Sequence, residues 1–347
     1  MTRARALLLL PLALALAGCE TLSYYAQAIG GHFDLTGRAR PVSELLEDAQ
    51  TPLFLRERLA LSQSLREFAS RDLGLPDNGS YRRYADLNRA YAVWNVVVTP
   101  EFSLEAAQSC FPVAGCVSYR GFFGRQDAEG HAARARERGL DAFVYGVPAY
   151  STLGAFDDPL LSTFIRWPDT ELARLVFHEL AHQLVYVKGD STFNESFAVT
   201  VEREGVRRWL AAAGRSAELA RYREARERER EFGRLLDEMR ARLEALYRLP
   251  IPPQEMRTRK NEEFARLAAE PVFLRHAAGF ASAPNNALLA SFATYSALVP
   301  AFERLLVECG GDLDAFYARV KALAQLDKAE RARRLRPQES GMSTILR

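Results

Sequence analysis

One stretch, between Pro168-Asp169 and Gly189, constrains the fold of this 347-residue chain more than any other. It has a helix start, with Asp169 as the expected cap, and a helix stop. Between them Leu172, Leu175, Val176, Phe177, Leu180, Leu184 and Val185 place apolar side chains nearly all the way round, which predicts a buried helix. That helix carries His178-Glu179-Leu180-Ala181-His182. Residues four apart lie about 40° apart on an α-helix, one turn up the same face, so both imidazoles can reach one Zn2+. Buried imidazoles need partners, and a single cation satisfies two of them. Glu179 flanks the pair, and its carboxylate can take a proton from an attacking water as general base.

A third ligand should lie close by. Residues 169–212 read as two helices joined at Lys188-Gly189-Asp190, the first ending near Val187 and the second beginning near Thr192. His182 and Glu195 then lie within roughly 5 to 8 Å of the turn at about 1.5 Å per residue, and antiparallel packing sets them level. His178, His182 and Glu195 are therefore the expected metal ligands, with Zn2+ as the cofactor. Glu202, two turns further on, suits either of two roles: holding a ligand histidine by its second nitrogen, or sitting on a solvated surface. For a developing oxyanion the candidate is Tyr295, with Tyr150 as competitor. An ordinary buried tyrosine is the third reading at either position. His32 and His276 read as structural or exposed, and His131 as solvated.

Elsewhere the pattern is coarser. Residues from Val42 to Leu73 read as helix with a break at Pro52. Tyr91 to Val98, Tyr119 to Phe123 and Ala142 to Ala149 read as strands, with a helix from Ala128 to Arg138 between the last two. Ser216 to Tyr247 is dense in Arg and Glu and reads as a long solvated helix. After Pro250, Pro252 and Pro253 a second charged helix, 254–269, returns beside it as a coiled arm. Asn285 to Leu326 reads as amphipathic helix, and the tail after Arg331 as polar. The fold class expected is α+β, mostly helical, with one small sheet.

The N-terminus reads as an export signal. Arg3 and Arg5 precede an apolar run from Ala6 to Ala17, too short to span a bilayer. Leu16-Ala17-Gly18-Cys19 resembles a lipobox, so residues 1–18 are expected to be removed, Cys19 lipidated and 19–40 to serve as a tether. Removing Arg3 and Arg5 leaves 44 basic residues against 44 acidic ones, counted from the 46 and 44 of the whole chain. Lipid rather than charge would then hold the protein to a bacterial membrane, facing the periplasm, with the choice of membrane open. The same balance argues against nucleic-acid binding. In an oxidising compartment Cys110 and Cys116 read as a disulfide, because a thiolate metal site would need two further soft ligands. Cys309 is left over.

His-Glu-Leu-Ala-His followed by Asn194-Glu195-Ser196-Phe197-Ala198 resembles the gluzincin metallopeptidases, whose third ligand is a glutamate. More closely, the chain resembles the bacterial lipoproteins described as predicted aminopeptidases. That resemblance runs through Tyr91 to Glu101, Cys110-Phe-Pro-Val-Ala-Gly-Cys116 with Tyr119-Arg120-Gly121, and Gly146 to Gly154 with Asp157-Asp158-Pro159. It continues through the histidine helix and Asn285-Asn286-Ala287 with Tyr295. It implies a zincin-like domain over 41–347, including the charged arm at about 216–269. It also implies a zinc site at His178, His182 and Glu195 with Glu179 as base, and a peptide or polypeptide substrate. Tyr145 to Gly154 occupies the place where such enzymes have an edge strand that pairs with the substrate backbone, with a plain core strand as the alternative. Two departures stand out: the interval from His182 to Glu195 is shorter than the gluzincin norm, and the Gly-x-Met-Glu-Asn motif that holds a substrate amine in zinc aminopeptidases is absent. The expected activity is hydrolysis of peptide bonds in the cell envelope by an aminopeptidase, with an endopeptidase or a non-catalytic zinc-containing scaffold as alternatives.

Overall fold

The computed structural model describes residues 24–111, 115–152, 156–277, 280 and 283–335. The expected signal segment, Cys19 and the last residues of the tail lie outside them. No helix among the described residues is long and apolar enough to cross a membrane.

The first described element is a helix over 24–37, α1. A short strand, β1 (Arg40–Pro41), leads into α2 (Val42–Glu47) and α3 (Leu53–Leu73), which Pro52 separates as expected. The main sheet consists of β3 (Val93–Thr99), β6 (Arg120–Phe122) and β7 (Asp141–Val147) in the order β6-β3-β7, antiparallel throughout. The three expected strands are therefore present with ends shifted by one or two residues. β-Branched Val93, Val96, Val97 and Val98 favour the extended backbone of β3. A smaller sheet joins β1, β2 (Arg83–Ala85) and β8 (Leu160–Leu161). A hairpin of β4 (Ser109–Phe111) and β5 (Gly115–Val117) carries a Cys110–Cys116 disulfide. α4 (Arg125–Glu137) covers one face of the main sheet through Ala128, Ala132 and Ala135, all fully buried.

The C-terminal half is helical: α5 (Asp169–Leu184), α6 (Ser191–Ala212), α7 (Ser216–Tyr247), α8 (Pro253–Ala269), α9 (Pro271–Ala277), α10 (Asn286–Ser296), α11 (Val299–Glu308), α12 (Leu313–Ala324) and α13 (Lys328–Leu335). α5 and α6 lie in the largest apolar core, α5 against α3 and α6 against α11, with Tyr317 of α12 joining that core and donating to the Leu73 carbonyl of α3 at 2.9 Å. Phe177, Leu180, Phe193, Phe197 and Phe302 are completely buried there.

The charged pair α7 and α8 is not the solvated arm that composition suggests. Phe232, Leu236, Met239 and Leu243 of α7 and Met256, Phe264 and Leu267 of α8 form a second core with α10 and with Val97 and Phe143 of the sheet. Most of the Arg and Glu residues coat the outer faces, where Arg242 meets Glu263 across the hairpin at 3.1 Å, while Arg226 is buried and pairs with Glu229. One narrow apolar stripe per helix is enough to bury it, and the high overall charge hides that stripe.

Candidate active site

The link between α5 and α6 sets the geometry. α5 ends at Leu184, three residues earlier than the sequence suggests, because Val185 adopts extended angles (φ −142°, ψ 123°). The Asn194 side chain then locks the link: its Oδ1 accepts the Val187 N–H and its Nδ2 donates to the Val187 carbonyl, both at 2.8 Å. Asp190 caps α6 by accepting the Phe193 N–H at 3.3 Å, and Arg331 holds its carboxylate at 2.7 Å. At the other end, Asp169 does not cap α5. Pro168 stands at the cap position, and Asp169, the first helical residue, ion-pairs with Arg58 and Arg215. Gly205 lets α6 come close to its neighbours, since a Cβ there would lie 2.8 Å from both Leu73 Cδ1 and Phe177 Cδ2.

With the two helices so joined, His178, His182 and Glu195 converge. His178 Nε2 lies 3.1 Å from His182 Nε2 and 3.2 Å from Glu195 Oε2, and His182 Nε2 lies 3.4 Å from the same oxygen. Among the described residues this is the group of histidine, cysteine and acidic side chains placed to hold a metal ion. The donor set fits a cation: a proton on His178 Nε2 could serve His182 or Glu195 but not both, while a cation satisfies all three lone pairs. A tetrahedral ion with bonds of about 2.0 to 2.1 Å separates its donors by about 3.3 Å, the spacing of this triangle.

Glu202 Oε2 lies 3.0 Å from His178 Nδ1, on the side away from the triangle. Arg174, one turn before His178, grips Glu202 Oε1 through Nε at 3.0 Å and Nη2 at 2.9 Å, and reaches Glu171 at 2.8 Å and Glu229 of α7 at 3.7 Å. Burial opposes charge on all of these groups, and partners reverse its effect. Burial would lower the His178 pKa, but the hydrogen bonds it donates to Glu195 and Glu202 raise it well above the ordinary value. Glu195 is likewise drawn down to about 2, against burial, chiefly by His182. Glu202 is drawn down to about 2, against burial, chiefly by Arg174. His182 Nδ1, though buried, has no hydrogen-bond partner among the described residues.

These residues line a cleft of about 580 Å3 together with Glu179. The opposite wall comes from the main sheet and its extensions, including Val93, Asn95 and Val147. β7 is an edge strand of that sheet, and Pro148 and Ala149 continue it along the cleft; residues 153 and 154 of the expected edge segment lie outside the described residues. Tyr295 lines the cleft and hydrogen-bonds to Tyr145, whose hydroxyl in turn accepts from Asn95 Nδ2 at 3.4 Å. Burial pushes the Tyr295 pKa well above the ordinary value, and the nearby Glu195 charge adds to it. Tyr150 also reaches the cleft, but its ring packs between Phe123 and His32 at 5.3 and 5.9 Å. The remaining histidines stand apart. His276 stacks on Phe232, and His131 is half-buried against Phe122 rather than solvated. Sequence reasoning missed Arg174, Asn95, Tyr145 and Tyr119, the last of which also lines the cleft. Only Arg174 left a signal, its i−4 spacing from His178.

The disulfide hairpin touches this assembly. Gly115 packs so closely on the α5–α6 link that a Cβ there would lie 3.0 Å from Lys188 Cγ and 3.2 Å from the Gly189 nitrogen.

A comparison with protein families matches residues 23–335 to the family described as "Putative aminopeptidase". The chain belongs to that family. Its description assigns a peptidase, a hydrolase, and the match includes the histidine helix, the link and Glu195. No curated protein and no solved structure matches the chain.

Proposed function

We propose that this family member is a zinc-dependent peptidase, held by acyl chains on Cys19 at the periplasm-facing surface of a bacterial membrane, that hydrolyses peptide bonds of envelope polypeptides. The observation that carries the reading is the triangle of His178 Nε2, His182 Nε2 and Glu195 Oε2, with sides of 3.1, 3.2 and 3.4 Å, open to the cleft. When bound by these three residues, Zn2+ supplies Lewis acidity that polarises a peptide carbonyl and acidifies a water.

The chain's own groups do the rest. Glu202, backed by Arg174, keeps the His178 proton on Nδ1 and so turns Nε2 outward as a lone pair. Glu179, on the cleft wall, takes the proton of the attacking water and delivers it to the leaving amine. The Tyr295 hydroxyl, tethered by Tyr145, donates to the oxygen on which charge develops. The family description supports an aminopeptidase as the exact activity.

Purified mature protein should hold about one equivalent of zinc. Glu179→Gln should keep that metal and lower kcat about 100- to 10,000-fold. Activity that survives the change would overturn the mechanism. Matched peptides with free and acetylated N-termini then separate the two peptidase classes, since an aminopeptidase requires the free amine and an endopeptidase does not.

A further inference from the structure

The helix α1 has apolar surface on two sides. Inward, Tyr24 and Ala28 line the cleft, the Gln27 side-chain oxygen accepts the Phe123 N–H at 3.0 Å, and Leu35 is fully buried. Gly31 is required there, because a Cβ would strike the Phe123 ring. Outward, the exposed positions Ala26, Ile29, Gly30, Phe33, Asp34 and Gly37 follow helical spacing, and Asp34 is the one charged side chain among them. Ile29 is 57% exposed and Phe33 68%. Phe156, 60% exposed, extends the patch: the His32 ring lies 5.0 Å from it and 5.8 Å from Phe33. The one acidic residue of the helix, Asp34, is neutralised by Arg38 at 2.8 Å.

We propose that this face is a membrane-contact surface, with Ile29, Phe33 and Phe156 seated at the headgroup–acyl boundary of the bilayer that carries the anchor. The proposal rests on the acylation of Cys19 given above. Its occupant follows from reach. Five peptide steps separate Cys19 from Tyr24, and a fully extended chain covers at most about 17 Å in five steps. An acylated Cys19 therefore holds α1 permanently beside lipid headgroups, at an effective concentration that a diffusing protein partner does not match. A helix that is apolar outward, with its charges cancelled, lies in such an interface. Because its inward side is a wall of the cleft, the active site opens next to the membrane surface. The substrates it meets are polypeptide segments held at that surface.

The test uses full-length acylated protein in vesicles with brominated acyl chains. Wild-type emission comes from Trp94, Trp167 and Trp209, and Phe33→Trp adds a fourth indole on the proposed face. The added emission is expected to fall by about half or more relative to unbrominated vesicles. Absence of quenching in protein whose mass shows acylated Cys19 overturns the membrane face and leaves the anchor standing. A mass without acylation overturns the anchor instead, and flotation of that chain with the same vesicles then decides the face: co-flotation lost in Phe33→Asp supports it, and no co-flotation overturns it. A doubled solution mass that Phe33→Asp restores to that of a monomer would give the face to a second copy and overturn the proposal as well.

Discussion

His178 and His182 are held unequally. Glu202 and Arg174 stand behind the first, whereas the second nitrogen of His182 is without a partner among the described residues. Glu202→Gln should therefore weaken zinc binding about 10- to 100-fold, read by competition with a chelator. Arg174→Met should act in the same direction, and Arg174→Lys should fail to restore affinity, because an ammonium does not reproduce the guanidinium's two-nitrogen grip on Glu202 Oε1. Unchanged affinity in both Arg174 variants would refute the relay. Asp158 makes a separate prediction. Burial, with the Glu179 charge adding to it, raises its pKa from 3.8 to about 6, against the hydrogen bonds from Thr152. The folded carboxyl thus keeps its proton longer than the unfolded one, so its contribution falls by about 3 kcal/mol as pH rises from about 4 to about 6. Denaturant curves of wild type and Asp158→Asn should differ by a constant below that window and shift by about this amount toward the variant above it. A pH-independent difference would refute the assignment. At this scale the sequence made the histidine pair, Glu179 and Glu195 readable, because helical spacing and one short turn bring them together. Arg174 has the same spacing but is one of 46 basic residues, and nothing in the sequence says which of them is turned inward.

Two elements carry the positioning: the α5–α6 link and the close approach of α6 to α3 and α5. Gly205→Ala gains helix propensity of about 1 kcal/mol but forces Leu73 and Phe177 apart, and overpacking of that kind costs about 1 to 3 kcal/mol. The net should be a lower denaturation midpoint; an unchanged or higher one would show that the two side chains yield freely. Reducing the Cys110–Cys116 bond should cost about 2 kcal/mol of stability through the unfolded chain. Because Gly115 rests on the link, reduction should also weaken zinc binding, measurable by chelator competition in the presence of a reductant. The turn itself was legible from Lys188-Gly189-Asp190. The early end of α5 was not, because the hydrogen bonds that hold the Val187 backbone come from the Asn194 side chain, on the far side of the turn.

The whole molecule is built on three cores: the largest around α5 and α6, and one on each face of the main sheet, under α4 and under α7, α8 and α10, with α10 packed against α6. The outer faces of α7 and α8 carry so much charge that the sequence suggests a projecting, removable arm, yet Met239, Leu243 and Leu267 are completely buried. Leu243→Ala should cost about 2 to 5 kcal/mol, as at any fully buried leucine. A loss below about 1 kcal/mol in thermal or denaturant unfolding would restore the arm reading. Periodicity resolves helices one at a time, and no single-helix pattern says that two charged helices share a core with a distant sheet. The α5–α6 pair has the opposite character. The atoms placed to grip a cation, and the residues bracing them, come largely from one continuous segment of 44 positions, 169–212, whereas the facing wall of the cleft is assembled from strands far away in the chain. Specificity and reactivity are therefore separable: substitutions at Val93 and Val147 should alter what the cleft accepts while the cation-gripping segment keeps its shape.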